Sequence, residues 1–196
     1  TPLTRMKLAI AVMEPSAETE ELSRDVAEME RMIDAFLDFA RGEGGEAPAP
    51  VDPEALAREV VESAARQGGT VSLEPRIDTP EARMVALRPA AIRRCLGNLV
   101  ENALRHGGRV RLTVRLTRRA LEFAVEDDGP GIPEAERREA LRPFTRLDRA
   151  RNQVRGPGVG LGLSIALDIA RSHGGSLALD ASPDLGGLRA TVHLPR

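Results

Sequence analysis

Residues 110–131 read VRLTVRLTRRALEFAVEDDGPG. Val110, Leu112, Val114 and Leu116 alternate strictly with Arg111, Thr113, Arg115 and Thr117. A period of two puts the apolar set on one face of a strand. Leu121, Phe123 and Val125 repeat the pattern, so a second half-buried strand follows the first. The Arg118-Arg119 connection lacks tight-turn residues, which leaves room for a slightly longer loop. Asp127 stays in phase with Leu121, Phe123 and Val125, so the strand carries a carboxylate towards the core side, where it needs donors. Asp128 is out of phase and expected at the surface.

Working outwards, Ile92, Leu96, Leu99, Val100 and Ala103 form the apolar face of a long helix, about Pro89 to His106, which stops at Gly107-Gly108. Asp52 caps an earlier helix with Pro53 at its first position and Leu56, Val60 and Ala64 inside. Short strands are expected at Thr70–Leu73 and Arg83–Ala86. Downstream, a polar stretch covers Gly129–Pro157. A helix then runs over Leu161–His173 and closes at Gly174-Gly175, with the dipole at its end favouring a His173 cation. A final hairpin pairs Leu177 and Leu179 with Leu188, Ala190, Val192 and Leu194 across Asp184–Gly187. Helices combined with mostly antiparallel strands predict an α+β, two-layer sandwich.

The N-terminal part follows another rule. Leu3, Met6, Ile10 and Met13, then Leu22, Val26, Met29, Ile33, Phe36 and Ala40, keep heptad spacings on either side of Glu14-Pro15-Ser16. That predicts a helical hairpin whose narrow seams are buried best by a second copy, as a dimeric four-helix bundle. Packing on the chain's own globular part is the alternative. The expected organisation is a hairpin over 1–41, a Gly- and Pro-rich linker over 42–51 and a globular domain over 52–196.

Composition narrows the function classes. The chain has 196 residues, 28 basic and 30 acidic, for a net charge of −2, so it offers no basic field for nucleic acid or an anionic membrane. Four Phe with no Tyr or Trp make base stacking on aromatic platforms an unsuitable mode. Cys95 alone forms no internal disulfide and no CxxC zinc site. The longest apolar run, Leu8 to Met13, is six residues, far short of the ~20 a spanning helix needs. No signal peptide is apparent.

Three constellations carry chemistry. Asn98, Asn102 and Arg105 form one stripe of the long helix, with Glu101 beside it. Asn is a poor interior helix residue, and amide oxygens suit Mg²⁺ that keeps waters and phosphate among its ligands; Arg105 could meet phosphate. A solvated polar face is the alternative. Asp127-Asp128-Gly129-Pro130-Gly131 places a carboxylate beside glycines that admit a flat ligand, such as an adenine whose amine would be the donor; a plain strand-exit turn reads the same way. Gly156-Pro157-Gly158-Val159-Gly160-Leu161-Gly162-Leu163 leads amides and a helix N-terminus towards an anion, and fits neither GxGxxG nor a P-loop. Between the last two, Arg142, Arg146, Arg149, Arg151 and Arg155 with Phe144 read as a lid over a phosphate site, or as a basic loop.

Asn98-x-x-Glu101-Asn102, Asp127-x-Gly129-x-Gly131, Phe144 and Gly158-x-Gly160-x-Gly162 stand in the order of the N, G1, F and G2 boxes. In that order they resemble the Bergerat-fold ATP-binding catalytic domain of bacterial sensor histidine kinases. Thr1-Pro2-Leu3-Thr4-Arg5 resembles the tail of the same family's His-[Asp/Glu]-Leu-Arg-Thr-Pro-Leu motif, most like the osmosensor type. The resemblance covers nearly the whole chain.

It implies a two-component kinase core that binds ATP and Mg²⁺. Asp127 would hold adenine with Gly129 and Gly131 beside it, Asn102 would be the metal ligand, and Asn98, Arg105 and His106 would lie along the phosphates. Gly158, Gly160, Leu161, Gly162 and Leu163, with Phe144, would hold the lid. The acceptor histidine would lie four residues before Thr1, so this chain alone is expected not to autophosphorylate; His106, His173 and His193 are poor substitutes. Thr1 would serve regulator dephosphorylation. The implied partners are a second copy through residues 1–41 and the receiver domain of a response regulator, with no nucleic acid. The membrane would be reached only through a preceding region, making this the cytoplasmic portion of an inner-membrane-anchored sensor. Another Bergerat-fold ATPase, or a non-catalytic dimeric scaffold that binds a regulator, are the alternatives.

Overall fold

The computed structural model describes residues 2–14, 16–40, 46–78, 83–145 and 160–196, without the side chains of residues 28, 31, 32 and 34–40. The chain divides into two compact units, one holding the N-terminal hairpin and the other Gly45–Leu147 with Gly160–Arg196.

In the hairpin, α1 (Pro2–Ala11) and α2 (Ala17–Ala40) follow the two heptad runs. A reciprocal cap starts α2. The Thr19 amide donates to Ser16 Oγ at 3.1 Å and the Ser16 amide to Thr19 Oγ1 at 2.7 Å. Glu18 and Glu20 sit in the first turn, where the helix dipole favours acid. Lys7 pairs with Glu30 across the two helices. Val26 is buried, whereas Met6, Met13, Leu22, Met29 and Ile33 of the expected seam are exposed. Phe36 and Ala40 lie outside the described side chains.

The second unit starts earlier than its predicted boundary. β1 (Ala49–Val51) pairs antiparallel with β3 (Val85–Leu87). Glu46 accepts hydrogen bonds from the Ala90 and Ala91 amides at 2.8 and 3.1 Å. Residues 46–51 are therefore not a spacer: Pro48 and Pro50 resemble linker chemistry, but Pro48 precedes β1 and a two-stranded ribbon tolerates Pro50 on its edge. Between those strands lie α3 (Pro53–Arg66), capped by Asp52 as its sequence predicts, and β2 (Val71–Ile77). β2 runs four residues past the expected strand, since Pro75 is harmless on the sheet's edge.

Then come α4 (Pro89–His106), β4 (Val110–Leu116) and β5 (Ala120–Asp127). The N-cap Arg88 offers no side-chain bond to α4, so Glu46 supplies that function from a distance in sequence. The β4–β5 connection is tight despite its residues. Thr117 Oγ1 accepts from the Arg119 and Ala120 amides at 3.3 and 3.1 Å, closing the turn by itself.

The expected polar stretch Gly129–Pro157 contains a helix the sequence pattern hides, α5 (Glu134–Ala140). It buries only Ala140, so no apolar periodicity marks it; the signals are acid in its first turn and arginine in its last. Finally α6 (Gly162–Ser172) leads to the hairpin of β6 (Ser176–Ala181) and β7 (Leu188–Pro195).

The main sheet has five strands in the order β2-β4-β5-β7-β6, antiparallel except β2 beside β4. That parallel pair is connected through β3 and α4, a crossover of the kind parallel strands require. Leu112, Val114, Leu116, Leu121, Phe123 and Val192 are fully buried on the inner face, against Ile92, Leu96 and Leu99 of α4 and Ala166 and Ile169 of α6. The result is the predicted two-layer α+β sandwich. On the outer face, His193 pairs with Glu122 at 3.2 Å.

His173 closes α6, as its sequence position predicts, and also reaches α4. The Arg88 amide donates to its Nε2 at 3.2 Å, and its Nδ1 lies 2.8 Å from the Ile169 carbonyl oxygen and 3.3 Å from Arg88 Nη2. The residue thus links the start of α4 to the end of α6.

Candidate functional site

Asp127 ends β5 pointing inwards, 2% exposed. Its Oδ1 accepts from the Gly129 amide at 2.9 Å and the Leu188 amide at 3.2 Å. Burial pushes its carboxyl above the usual carboxylate range; the two amides and nearby His106 oppose that shift, and Asp128 adds to it. The sequence pattern finds Asp127 but misses what fixes it. Gly187 donates to the Asp127 carbonyl at 3.1 Å, and a Cβ there would lie 2.3 Å from Oδ1. Only glycine lets the β6–β7 turn approach this closely; the Gly186-Gly187 pair was the visible signal.

Asp128 is not merely a surface residue. Its Oδ1 accepts from the Gly108 and Arg109 amides at 2.7 and 2.8 Å, and its Oδ2 from Arg109 Nε at 3.0 Å. These donors, led by the Arg109 amide, hold its carboxyl down at about 2. The staple fastens the end of α4 to the strand that carries Asp127. His106 ends α4 beside the same strand exit, since a Cβ at Gly129 would lie 2.7 Å from its carbonyl oxygen. Gly131 has φ +69 and faces the Gly187 backbone.

On α4, Asn98 and Asn102 are half-buried. Asn98 Nδ2 is buried without a hydrogen-bond partner. Only it and Arg83 Nε are so placed among the described residues. A buried donor of this kind costs ~1–3 kcal/mol unless a ligand acceptor meets it. Arg105 Nη2 donates to Glu101 Oε1 at 2.9 Å along the helix, so its guanidinium is anchored on one side. The backbone of Asn98 lies next to the start of α6: a Cβ on Gly162 would be 3.7 Å from the Asn98 carbonyl oxygen.

The glycine-rich segment divides in two. Gly160 has φ +73, and a Cβ there would lie 2.7 Å from the Thr145 carbonyl oxygen. No other residue fits without strain. Gly162 has ordinary room for a side chain, so its glycine is not a steric need. Leu161 is a buried core residue at the N-cap of α6, which has no side-chain cap, and Leu163 is half-buried. Phe144 is exposed with φ +62, and its amide donates to the Gly160 carbonyl at 3.0 Å. Thr1, Arg146, Arg149, Arg151, Arg155 and Gly158 lie outside the described residues.

The structure thus gathers Asp127, Gly129 and Gly131 at one strand end, Asn98, Asn102, Arg105 and His106 along α4, and Phe144, Gly160, Leu161 and Gly162 near the start of α6. Among the described residues, no group of three or more His, Cys, Asp or Glu could hold a metal ion. An ion held at α4 would rest on Asn102 and on oxygens of a ligand. The orphaned Asn98 amide and the half-buried Asn102 fit such a phosphate-bearing ligand.

Residues 88–196 match the family of histidine kinase-, DNA gyrase B-, and HSP90-like ATPases. Over 197 residues the chain is 35% identical to sensor histidine kinase GtrS of Pseudomonas aeruginosa, covering all of this chain and 39% of that protein. It therefore spans about two fifths of the length of that curated relative. The crystal structure of the ATP binding domain of PrrB from Mycobacterium tuberculosis is 32% identical, with TM-score 0.61, over 76% of this chain and 97% of the other. The histidine kinase domain of the Escherichia coli osmosensor EnvZ is 34% identical, with TM-score 0.57, over 78% and 91%.

Proposed function

Because the chain belongs to the histidine kinase-, DNA gyrase B- and HSP90-like ATPase family, we propose that it is the ATP-binding kinase core of a two-component sensor histidine kinase. The observation that carries this reading is Asp127, a buried carboxylate whose Oδ1 is held by two backbone amides at a glycine-lined strand end. With Oδ1 so occupied, the group is fixed to accept from a flat ligand's amine at its other oxygen, which is how adenine is selected in this reading. Desolvation makes that one charged hydrogen bond worth more than it would be in water.

The other residues take roles along the nucleotide. Asn98 offers its orphaned amide to a phosphate oxygen, Arg105 contributes positive charge, His106 lies beside them along the phosphates, and Asn102 would supply the protein oxygen to Mg²⁺. When bound, Mg²⁺ neutralises charge that develops on the transferring phosphoryl group. Gly160, Leu161, Gly162, Leu163 and Phe144, near the start of α6, would with Gly158 serve the phosphate end of the nucleotide. Where the family's His-[Asp/Glu]-Leu-Arg-Thr-Pro-Leu motif is complete, a histidine four residues before the position of Thr1 would take the γ-phosphoryl as ADP leaves. A response-regulator aspartate then takes it from the imidazole. Thr1 lies one helical turn from that histidine, and its hydroxyl orients water for the reverse, dephosphorylating activity. The hairpin pairs with a second copy. No helix of the described residues is long and apolar enough to cross a membrane. A preceding region would anchor the sensor, leaving this part on the cytoplasmic side.

The purified chain should bind ADP or ATP with Mg²⁺ and melt at a higher temperature with nucleotide present. It should form no stable phosphohistidine at its own three histidines. Asp127→Asn presents an amide that can turn a donor to the ligand's amine. Calorimetry should show a loss of ~1.5–3 kcal/mol, roughly tenfold to a hundredfold in affinity. Unchanged affinity would reduce Asp127 to a turn residue.

A further inference from the structure

Glu126 neighbours Asp127 on β5, so its side chain leaves the opposite, open face of the sheet. Even so, it is buried, 3% exposed. Its Oε2 accepts from Arg111 Nε and Nη2 at 3.1 and 2.9 Å, and its Oε1 accepts from Ser182 Oγ at 3.0 Å. A buried carboxylate with a guanidinium and a hydroxyl is costly to build unless its donors are fixed. Here the donors reach the β6–β7 turn. Ser182 Oγ accepts from the Leu185 amide at 3.1 Å. The Ser182 amide donates to the Gly187 carbonyl at 2.8 Å, and the Gly186 amide to the Ser182 carbonyl at 3.1 Å. Arg111 also reaches Asp184 in the same turn. That turn delivers the Gly187 and Leu188 amides to Asp127 on the inner face.

We infer that Glu126 and Ser182 are positioning residues: from the open face of the sheet they hold the β6–β7 turn so that the Leu188 amide that follows it aims the Asp127 carboxylate at the amine of an adenine base, while the Gly187 amide ties the turn to the Asp127 backbone. The inference rests on the reading of Asp127 proposed above. Neither residue touches nucleotide, because their side chains lie on the other side of the sheet from Asp127. Their effect is on selectivity for the base rather than on grip of the phosphates. Releasing the turn leaves the Gly129 amide as the remaining described donor on Oδ1, and the carboxylate is then free to rotate away from one orientation.

The test compares two ligands on the purified chain: ADP, and the diphosphate of purine riboside, which lacks only the 6-amino group. Wild type should prefer ADP by about tenfold or more, as one charged hydrogen bond requires. Ser182→Ala removes both the bond to Glu126 and the bond from the Leu185 amide and should cut that preference by roughly three- to tenfold, because the turn that carries the Leu188 amide is loosened rather than lost. Affinity for the deaminated ligand should stay within about twofold of wild type. Ser182→Thr keeps the hydroxyl and should restore the preference. Glu126→Gln is the harsher variant; Ser182→Ala removes a single oxygen and keeps the test open if Glu126→Gln does not fold. Equal weakening of both ligands would mark the turn as scaffold only and overturn the inference. So would an unchanged preference in Ser182→Ala. A wild type with no preference for ADP would instead overturn the reading of Asp127, and this inference with it.

Discussion

Helix α4 and the hairpin carry apolar residues at similar spacings and meet different fates. Leu96 and Leu99 of α4 are buried under the sheet, while Met29 and Ile33 of α2 are 46% and 45% exposed. The difference is what each helix has to lie against. A sheet presents a broad apolar face that covers a helix stripe within one chain. Two helices with two narrow seams form no such broad face within the hairpin, and in our reading a second copy covers their stripes. The same periodicity thus reports an internal core in one unit and, in our reading, an intermolecular one in the other.

The largest expected effect breaks the core side of this comparison. Phe123 is fully buried on β5, four residues before Asp127. Phe123→Ala should cost ~3–5 kcal/mol, from lost transfer energy plus a cavity the neighbours only partly fill. That is a large share of the ~5–15 kcal/mol that holds a domain together. Denaturant unfolding of the globular unit should show it, and the helical signal of the hairpin should persist. A loss below ~1 kcal/mol would mean that the sheet repacks freely around the site.

The counterpart breaks the hairpin side. Ile33→Asp places a charge on the exposed seam of α2. In a lone hairpin a surface charge changes little, within ~0.5 kcal/mol. In a paired bundle it must be desolvated, at ~2 kcal/mol or more, or about thirtyfold in dimer dissociation. Sedimentation over a concentration series should show dissociation, with nucleotide affinity of the globular unit unchanged. A monomeric wild type would remove the premise that a second copy covers the seam.

The two regions also differ in how much their sequences disclose. Strict alternation from Val110 to Val125 and the 3–4 spacing on α4 were legible because burial writes itself as a period. Asp127 was legible for the same reason, as a charge that keeps the phase of its apolar neighbours. What stayed hidden depends on contacts across long sequence separations. Glu46 caps a helix 44 residues away, and Ser182 reaches Glu126 across 56. Nothing local in either residue marks the partner. Helix α5 escaped because a helix that buries one alanine has no period to read. The glycines were legible as a cluster but not individually: positive φ at Gly160 and spare room at Gly162 follow from neighbours the pattern does not contain.

A smaller effect sharpens the comparison through charge. Asp128 gains three donors in the folded unit, and its carboxyl falls from 3.8 to about 2. A depressed carboxyl stabilises the fold above its unfolded value and loses that contribution as pH falls through the folded one. Wild type should therefore lose stability between about pH 4 and pH 2 more steeply than Asp128→Asn, which has no proton to take up there. Asp127 acts with the opposite sign, since burial raises its carboxyl: its protonation relieves the fold as pH drops. Urea unfolding at pH 2, 3, 4 and 7 on wild type and Asp128→Asn measures the difference. Parallel curves would show that the Arg109 staple survives protonation.

The smallest effect belongs to the hairpin's own ion pair. Lys7 and Glu30 join α1 to α2, with side chains 48% and 43% exposed. Two long side chains must be ordered for one contact in water, so such pairs contribute ~0.2–1 kcal/mol. Exposed charges also lose most of their attraction beyond ~10 Å at 0.1 M salt. This is where the hairpin differs from the site in the globular unit: Asp128 is tied to backbone amides that are already fixed, while Lys7 and Glu30 must fix each other. A double-mutant cycle of Lys7→Gln and Glu30→Gln, read by thermal melting of the hairpin at low and high salt, should give a coupling below ~1 kcal/mol that shrinks with salt. A larger, salt-insensitive coupling would show that the pair is desolvated, and that something other than water covers this side of the hairpin.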